Sequence, residues 1–556
     1  MKKKRRHSNL FSYLYLRLKY SFLGKFLYEP TPAAGRHRGF ILIQIDGISC
    51  STFRLAMEKG YAPNIKRLLN KRGFSLFPYY CPMPSNTPYI QAGLMYGNNS
   101  GVLGFRWMDK KEGRTVTFKE AVSAARVEEE VSEGRTGILK GGSSYLNLFT
   151  GGAERSVFTL STFATKNIFK KKRIGQLDIF LLFMLYVTNM IRTAAYILID
   201  TFLEFGEWFT LSLFNKRRRR EGIFPLIRLI NNVIFREVET AGAMTDIVRG
   251  VPSIHLTFNG YDEISHHRGP EFTGAFRVLR GIDRKVRKIL RATDSCRTRE
   301  YDVYIFSDHG QTPSTPFTYK YGETLSGLIQ RATPEDLEIS EFNAPQEAVL
   351  YEGWKYMEEL KFLTLNLPRY FYNLFERIRG WALAREPERI PFIWKEEKDQ
   401  VFVNDSGPLS QIYFNFKREK ISLEEIGNRY PELMDSLMEH PGIGVLAGCS
   451  ADGRPAILKW DDNLTKDDRE LFTALAEAGN SGDLIVQGAY DGEEIINFEE
   501  QLSAHGGVGG EQNRPFFIVP PGCSLDLSTI KNPAELYPFF FENYTSHVIL
   551  EESDES

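Results

Sequence analysis

Three apolar runs of strand length, each leading into acidic or imidazole side chains, constrain this chain more than any other feature. FILIQI at 40–45 runs directly into Asp46. SIHLTF at 253–258 is followed by Asp262 and, four residues on, by His266. VYIF at 303–306 leads through Ser307 into Asp308 and His309. Short continuous apolar runs bounded by polar residues read as buried strands. With helical stretches between them, such as one expected around 61–71, they imply an α/β fold: a mostly parallel central sheet with helices on both faces. Open sheets of this kind bind ligands outside the carboxyl ends of their strands. The three clusters can therefore converge there, and mixed carboxylates and imidazoles suit Zn²⁺ or a similar divalent ion.

A fourth segment, CPMPSNTPYIQAGLMYG at 81–97, adds a hydroxyl. A helix is expected to start at Pro88, with Thr87 as its N-cap. The positive end of that helix favours an alkoxide at Thr87 and a phosphoryl group beside it. Each piece alone has an ordinary explanation. An Asp after a strand is commonly a turn residue, a His pair commonly lies on the surface or in a hydrogen-bonded core, and Thr87 alone is a plain cap.

Taken together, IDG, PSNTP…YG, D-x-x-x-H-x-x-GP, SDHG and a late HGG resemble the alkaline phosphatase superfamily. The branch most resembled is the nucleotide pyrophosphatase/phosphodiesterase, or type I phosphodiesterase, group. The motifs cover roughly residues 39–109, 251–312 and 480–520, less than half of the chain. The resemblance implies an alkaline phosphatase-like fold and two divalent metal ions, Zn²⁺ or alternatively Mn²⁺. One would be held by Asp46, Thr87, Asp308 and His309, the other by Asp262, His266 and His505. The register of the D-x-x-x-H motif selects His266 over His267. Thr87 is implied to be the nucleophile, passing through a phosphothreonine. The expected activity is hydrolysis of a phosphate ester, a diester or pyrophosphate before a monoester. A phosphomonoesterase, a sulfatase, a phosphomutase or a non-catalytic membrane-associated protein keeping the fold are the alternatives. No Cys/Ser-x-Pro-x-Arg motif supports the sulfatase. The chain departs from the pattern at NNSGVLGFRWMD (98–109), where a shortened turn stands in place of an Asn that contacts a phosphoryl oxygen. Phe105 or Arg106 falls near that place; the Arg106 guanidinium can bind phosphate bidentately or form a surface salt bridge.

The rest of the chain divides by composition. Residues 1–38 form a basic, aromatic arm; 39–165 and 249–545 supply the catalytic α/β domain, with a helical excursion near 353–385; 546–556 form an acidic tail expected to lack order. Between the two catalytic parts, 166–248 reads as an inserted helical subdomain. Its apolar stretch 179–199 is long enough to span a bilayer. A single crossing is excluded, because Asp46 and Thr87 precede it and Asp262 and Asp308 follow it, yet all must reach one site. The partner stretch 201–214 that a hairpin would need is short and contains Glu204 and Glu207. Thr188, Asn189, Arg192 and Thr193 draw a polar stripe along 179–199, and KRRRR follows at 216–220. That pattern fits an interfacial helix against anionic headgroups, or else a cap packed on protein. Net formal charge is zero over 556 residues, so no specific nucleic-acid binding is expected. Five scattered cysteines argue against disulfides, and 9–28 lacks an uninterrupted signal-peptide core. The expectation is a cytoplasmic protein, peripheral on the inner face of the membrane.

Overall fold

β1 (Gly39–Ile45) is buried at all seven positions, which is what a continuous apolar run requires of a central strand. In the computed structural model, residues 37–162, 235–296, 298–341, 394–395 and 398–555 are described, with isolated positions at 18, 206, 373 and 377. Six more strands join β1 in one sheet: β2 (Ser75–Pro78), β3 (Ser143–Tyr145), β4 (Arg155–Val157), β5 (Ser253–Phe258), β6 (Tyr301–Phe306) and β7 (Phe516–Val519). Their spatial order is β2-β7-β6-β1-β5-β3-β4. β1 runs parallel to both β5 and β6, and β3 runs parallel to β5 and β4. Only β7 runs against its neighbours, β6 and β2. The mostly parallel sheet expected from the apolar runs is therefore present, with its antiparallel strand near one edge.

Alternation along β1 sorts its side chains between two cores. Phe40 and Leu42 join one cluster with Ala92 and Leu94 of α3 (Thr87–Tyr96) and with Phe540 from the C-terminal part of the chain. Ile41, Ile43 and Ile45 join the other. That cluster also holds Phe53 of α1 (Cys50–Glu58), Ile65 of α2 (Pro63–Arg72), Ile247 of α4 (Arg236–Arg249), Ile264 of α5 (Gly260–Arg268) and Ile282 of α6 (Thr273–Ser295). Helices thus cover both faces, as a parallel sheet requires.

A second sheet was not legible beforehand. Two further apolar runs, QIYFNF and DLIVQG, contain the strands Leu409–Phe414 and Leu484–Gly488, and these belong to a separate six-stranded sheet. Its other strands are Glu338–Glu341, Gln400–Ser406, Ile443–Cys449 and Pro455–Lys459, and all pairings but the first are antiparallel. Val401 and Val403 face a core of their own, whereas Phe402 and Tyr413 face the core beside α3. The two sheets therefore share a hydrophobic interior. Gly407, in the hairpin between the second and third strands, lies so close to the His505 carbonyl that a Cβ there would be 2.3 Å from it.

The acidic end differs from expectation. Residues Ser546–Glu555 continue as helix. Phe540 and Tyr544, just upstream, pack against Phe40 and Tyr304, and extending an existing helix is far easier than nucleating one. Apart from the isolated positions 206, 373 and 377, the stretches 179–199, 201–214, 216–220 and 353–385 lie outside the described residues. Among the described residues, no helix is long and apolar enough to cross a membrane.

Candidate active site

Asp46 leaves the sheet where β1 ends, its amide still bonded to the Phe258 carbonyl of β5 at 3.1 Å. The next residue must turn sharply and leave room. Gly47 takes a φ of +70°, and a Cβ there would be 2.0 Å from Asp262 Oδ1. A side chain at 47 is excluded both by the backbone and by the carboxylate it would meet. The same turn is tied to the end of β6: the Gly47 amide donates to Asp308 Oδ1 (3.4 Å) and the Ile48 amide to Ser307 Oγ (2.9 Å).

Thr87 is not the N-cap of α3. Asn86 holds that place, with extended backbone and its side-chain oxygen accepting from the Tyr89 amide at 3.2 Å, so Thr87 is the first helical residue. Asn caps at least as well as Thr, and the exchange has a chemical consequence. The Thr87 hydroxyl, freed from capping, lies 3.5 Å from Asp46 Oδ1 and 3.4 Å from His309 Nε2.

On α5, Asp262 and His266 are one turn apart on one face, Oδ2 to Nε2 3.2 Å. His505 Nε2 comes within 3.2 Å of His266 Nε2 and 3.9 Å of Asp262 Oδ1, and its ring stacks on His309 with centroids 3.8 Å apart. Each of these three imidazoles is pinned by its other nitrogen. Nδ1–H donates to the carbonyl of Ser503 from His266 (2.9 Å), of Ser85 from His505 (3.0 Å) and of Gly310 from His309 (3.0 Å). A carbonyl at Nδ1 fixes the proton there and turns the Nε2 lone pair toward the common centre, the arrangement found at metal-ligating histidines.

Two donor groups, each with its atoms within 4.8 Å of one another, result among the described residues: Asp262–His266–His505 and Asp46–Asp262–His309. The first is the expected three-residue set. In the second, Asp262 stands where Asp308 was expected, so Asp262 lies between the two groups. Asp308 remains beside them, fully buried; its Oδ2 is 3.6 Å from His309 Nε2 and has no hydrogen-bond partner among the described residues. His267 points to Glu263 at 4.0 Å and contributes to neither group.

These residues fit divalent cations on their own chemistry. A buried, unpartnered carboxylate oxygen is costly in a protein interior, and a cation removes that cost. Burial, then repulsion from Asp308 and Asp262, pushes the Asp46 carboxyl well above its usual range. Burial also works on Asp262, but the His266, His505 and His309 rings hold it well below the usual range. Although burial opposes it, Asp262 raises His266 to about 9. Burial, then His309, pushes His505 well below the ordinary imidazole value. Acids and imidazoles so closely spaced compete for too few protons, as expected where a cation belongs.

Several supporting residues escaped sequence reasoning. Gln311 donates from Nε2 to Asp262 Oδ1 and accepts from Ser503 Oγ, closing a ring with His266. It stands three residues after Asp308 in SDHGQT, where proximity was the available signal. Arg106 forms an ion pair, and a buried one: it is 3% exposed, paired with Glu499 at 3.0 Å and donating to the Asp405 carbonyl at 3.0 Å. Lys119, past the hairpin in which Arg106 pairs with Thr117, is partly buried, and no partner of its ammonium is found among the described residues. Burial, followed by the neighbouring Arg106 charge and opposed by Glu499 and Glu263, brings Lys119 down to about 7. Glu499 also lies in the field of His266.

Comparison with known proteins falls on part of the site. Positions 214–368 match the family model of type I phosphodiesterase / nucleotide pyrophosphatase, a span containing Asp262, His266, Asp308 and His309. This bears out, over that span, the resemblance carried by the motifs. A search of curated proteins finds no match. Among solved structures, murine ectonucleotide pyrophosphatase / phosphodiesterase 5 is 12% identical, with 91% of this chain and 94% of that chain covered and a TM-score of 0.43. Phosphonoacetate hydrolase from Sinorhizobium meliloti, in complex with phosphonoacetate, is 12% identical, with 93% and 99% covered and a TM-score of 0.44.

Proposed function

We infer, from the family match over 214–368 and the donor geometry, that this chain is a metal-dependent hydrolase of phosphate esters in which Thr87 is the nucleophile. One observation carries the reading. Three imidazoles, each pinned at Nδ1 by a backbone carbonyl, turn Nε2 toward Asp46, Asp262 and the uncapped Thr87 hydroxyl. A purely structural core has no need of that pattern.

Asp46, Thr87, Asp308 and His309 would hold one divalent ion, and Asp262, His266 and His505 the other, with Asp262 shared through its position between them. Bound there, Zn²⁺ or Mn²⁺ supplies Lewis-acid stabilisation to the oxygens that gain charge during an in-line displacement. The chain's own residues supply the rest. Thr87 Oγ1, at the positive end of α3, attacks phosphorus as its proton is given up to solvent; the bond to the leaving oxygen breaks as the Oγ1–P bond forms, and that oxygen departs with the bonding pair and takes up a proton. The resulting phosphothreonine is then hydrolysed by water, returning the hydroxyl and releasing phosphate or a phosphomonoester. The decisive experiment is a panel of nitrophenyl phosphate, bis-nitrophenyl phosphate, nucleotide and phospholipid substrates, run with defined metals beside elemental analysis. The expected result is two divalent ions per chain and faster turnover of diesters or pyrophosphates than of monoesters. No stoichiometric metal after reconstitution, with no ester turned over, would overturn it.

A further inference from the structure

One buried polar cluster in the apolar core beside α3 has no part in the chemistry described so far. Gln91 is 1% exposed, on a helix whose Ala92, Leu94 and Met95 are all buried. It follows Thr87 by four residues, one helical turn, and so lies on the same face. Its Nε2 donates to Gln44 Oε1 and to Asn147 Oδ1, both at 3.2 Å, and its Oε1 accepts from the Leu148 amide at 2.8 Å. Asn147 in turn accepts from Thr257 Oγ1 at 2.6 Å and donates to Ser144 Oγ at 2.8 Å. Gln44 and Thr257 are paired across β1 and β5.

The positions of these partners give the cluster its meaning. Gln44 is two residues before Asp46 on β1, and Thr257 is five before Asp262 at the end of β5. One side chain on the Thr87 helix is thus fastened to both strands that deliver carboxylates to the site. An apolar residue would fill the same core position without burying an amide that must be fully partnered. A leucine there would grip by packing alone, which leaves the helix freer to slide along its axis than three directional bonds do.

We propose that Gln91 is a positioning residue, holding the first turn of α3 in register with the ends of β1 and β5 so that the Thr87 hydroxyl stays aimed between Asp46 and His309. The inference rests on the reading of Thr87 as nucleophile. It acts at one remove: Gln91 touches neither substrate nor metal ligand, and it sets where the reacting oxygen sits. A misplacement of about 1 Å at a reacting atom can cost on the order of a hundredfold in rate.

The test separates position from folding. Gln91→Met and Gln44→Met are compared with the wild type by rapid-quench single turnover, using the fastest nitrophenyl ester of the panel, with metal content measured in parallel. The amplitude of Thr87 phosphorylation counts correctly folded molecules, and the rate constant reports how well each is aligned. The expected result is a phosphorylation rate constant lower by about ten- to a hundredfold in Gln91→Met, and lower by a smaller factor in Gln44→Met. Amplitude, KM and metal stoichiometry are expected to be retained. A normal rate constant with reduced amplitude makes Gln91 a purely structural residue and overturns the inference. Should Gln91→Met not fold, a normal rate constant in Gln44→Met overturns it equally. The parent reading fails separately, through a Thr87→Ala variant that still turns over the ester.

Discussion

Thr87→Ala abolishes steady-state turnover, by at least about a thousandfold, the scale on which removal of a catalytic nucleophile is felt. The loss should come without unfolding. Thr87 lies on the first turn of α3, its capping position is taken by Asn86, and among the described residues its hydroxyl makes contacts only at 3.4–3.5 Å to His309 and Asp46. Nothing in the helix depends on that oxygen, so thermal stability should change little. The three-residue group Asp262–His266–His505 remains intact, so at least one metal should still bind. Thr87→Ser restores a hydroxyl and is expected to keep part of the activity, less than the wild type because a serine side chain samples more rotamers than a β-branched threonine. Peptide mapping after rapid quench should find phosphate on Thr87 in the wild type and on the substituted serine in the Thr87→Ser variant. Full turnover in the alanine variant would exclude Thr87 as nucleophile.

Chelation is expected to destabilise the protein, and more so as pH rises. Without cations, the folded Asp46 carboxyl lies above its ordinary value and His266 at about 9. A group raised on folding contributes stability that is complete below its unfolded pKa and lost as pH climbs through its folded pKa. For both groups the metal-free protein therefore weakens from the ordinary carboxylate range up to about pH 9, each by at most about 1.4 kcal/mol per pH unit while it titrates. Asp262, held low, has the opposite sign, but its contribution is lost only on the acid side of the ordinary carboxylate range. Metal binding runs the other way, because ligands must shed protons to bind. At a thousandfold excess over Kd each ion adds about 4 kcal/mol. The gap in melting temperature between metal-loaded and chelated protein should therefore widen steadily from about pH 5 to about pH 9. A gap that is absent, or that does not change with pH, argues against these residues as a metal centre.

How much of this could be read from the residues depends on the range over which each signal acts. The parallel strands were legible because fully buried strands must be apolar throughout, and FILIQI, SIHLTF and VYIF match the strands found to within two residues. The donor residues come close together because their motifs sit at strand ends or in glycine turns, where local chemistry dictates geometry, although Asp262 rather than Asp308 joins Asp46 and His309. Thr87 was misplaced by one helical position because Asn and Thr cap almost equally well, and only backbone angles distinguish them. Arg106 could not be assigned, since its partner Glu499 is 393 residues away. The second sheet was invisible for a similar reason. Its central strands, such as Leu409–Phe414 and Leu484–Gly488, are as buried as those of the first, and nothing local says which sheet a buried strand joins. Gln91 and Gln311 were passed over because single amides carry no motif; their meaning is entirely in whom they touch.

The order of strands also sets when the site can exist during synthesis. β2, emitted early, reaches the central sheet only by pairing with β7, and β7 belongs to the last strand segment of that sheet to be made. His505 lies just ahead of it in the chain. A nascent chain can thus present β1, β5, β6 and most carboxylate donors long before the imidazole that completes one donor group has left the ribosome. Through that interval the edge of β6 that β7 will occupy is open, and unpaired edges invite aggregation. Cells making this protein should therefore depend on chaperones up to the emergence of β7, and a stop codon ahead of residue 505 should yield insoluble, metal-free chain rather than a weakened enzyme.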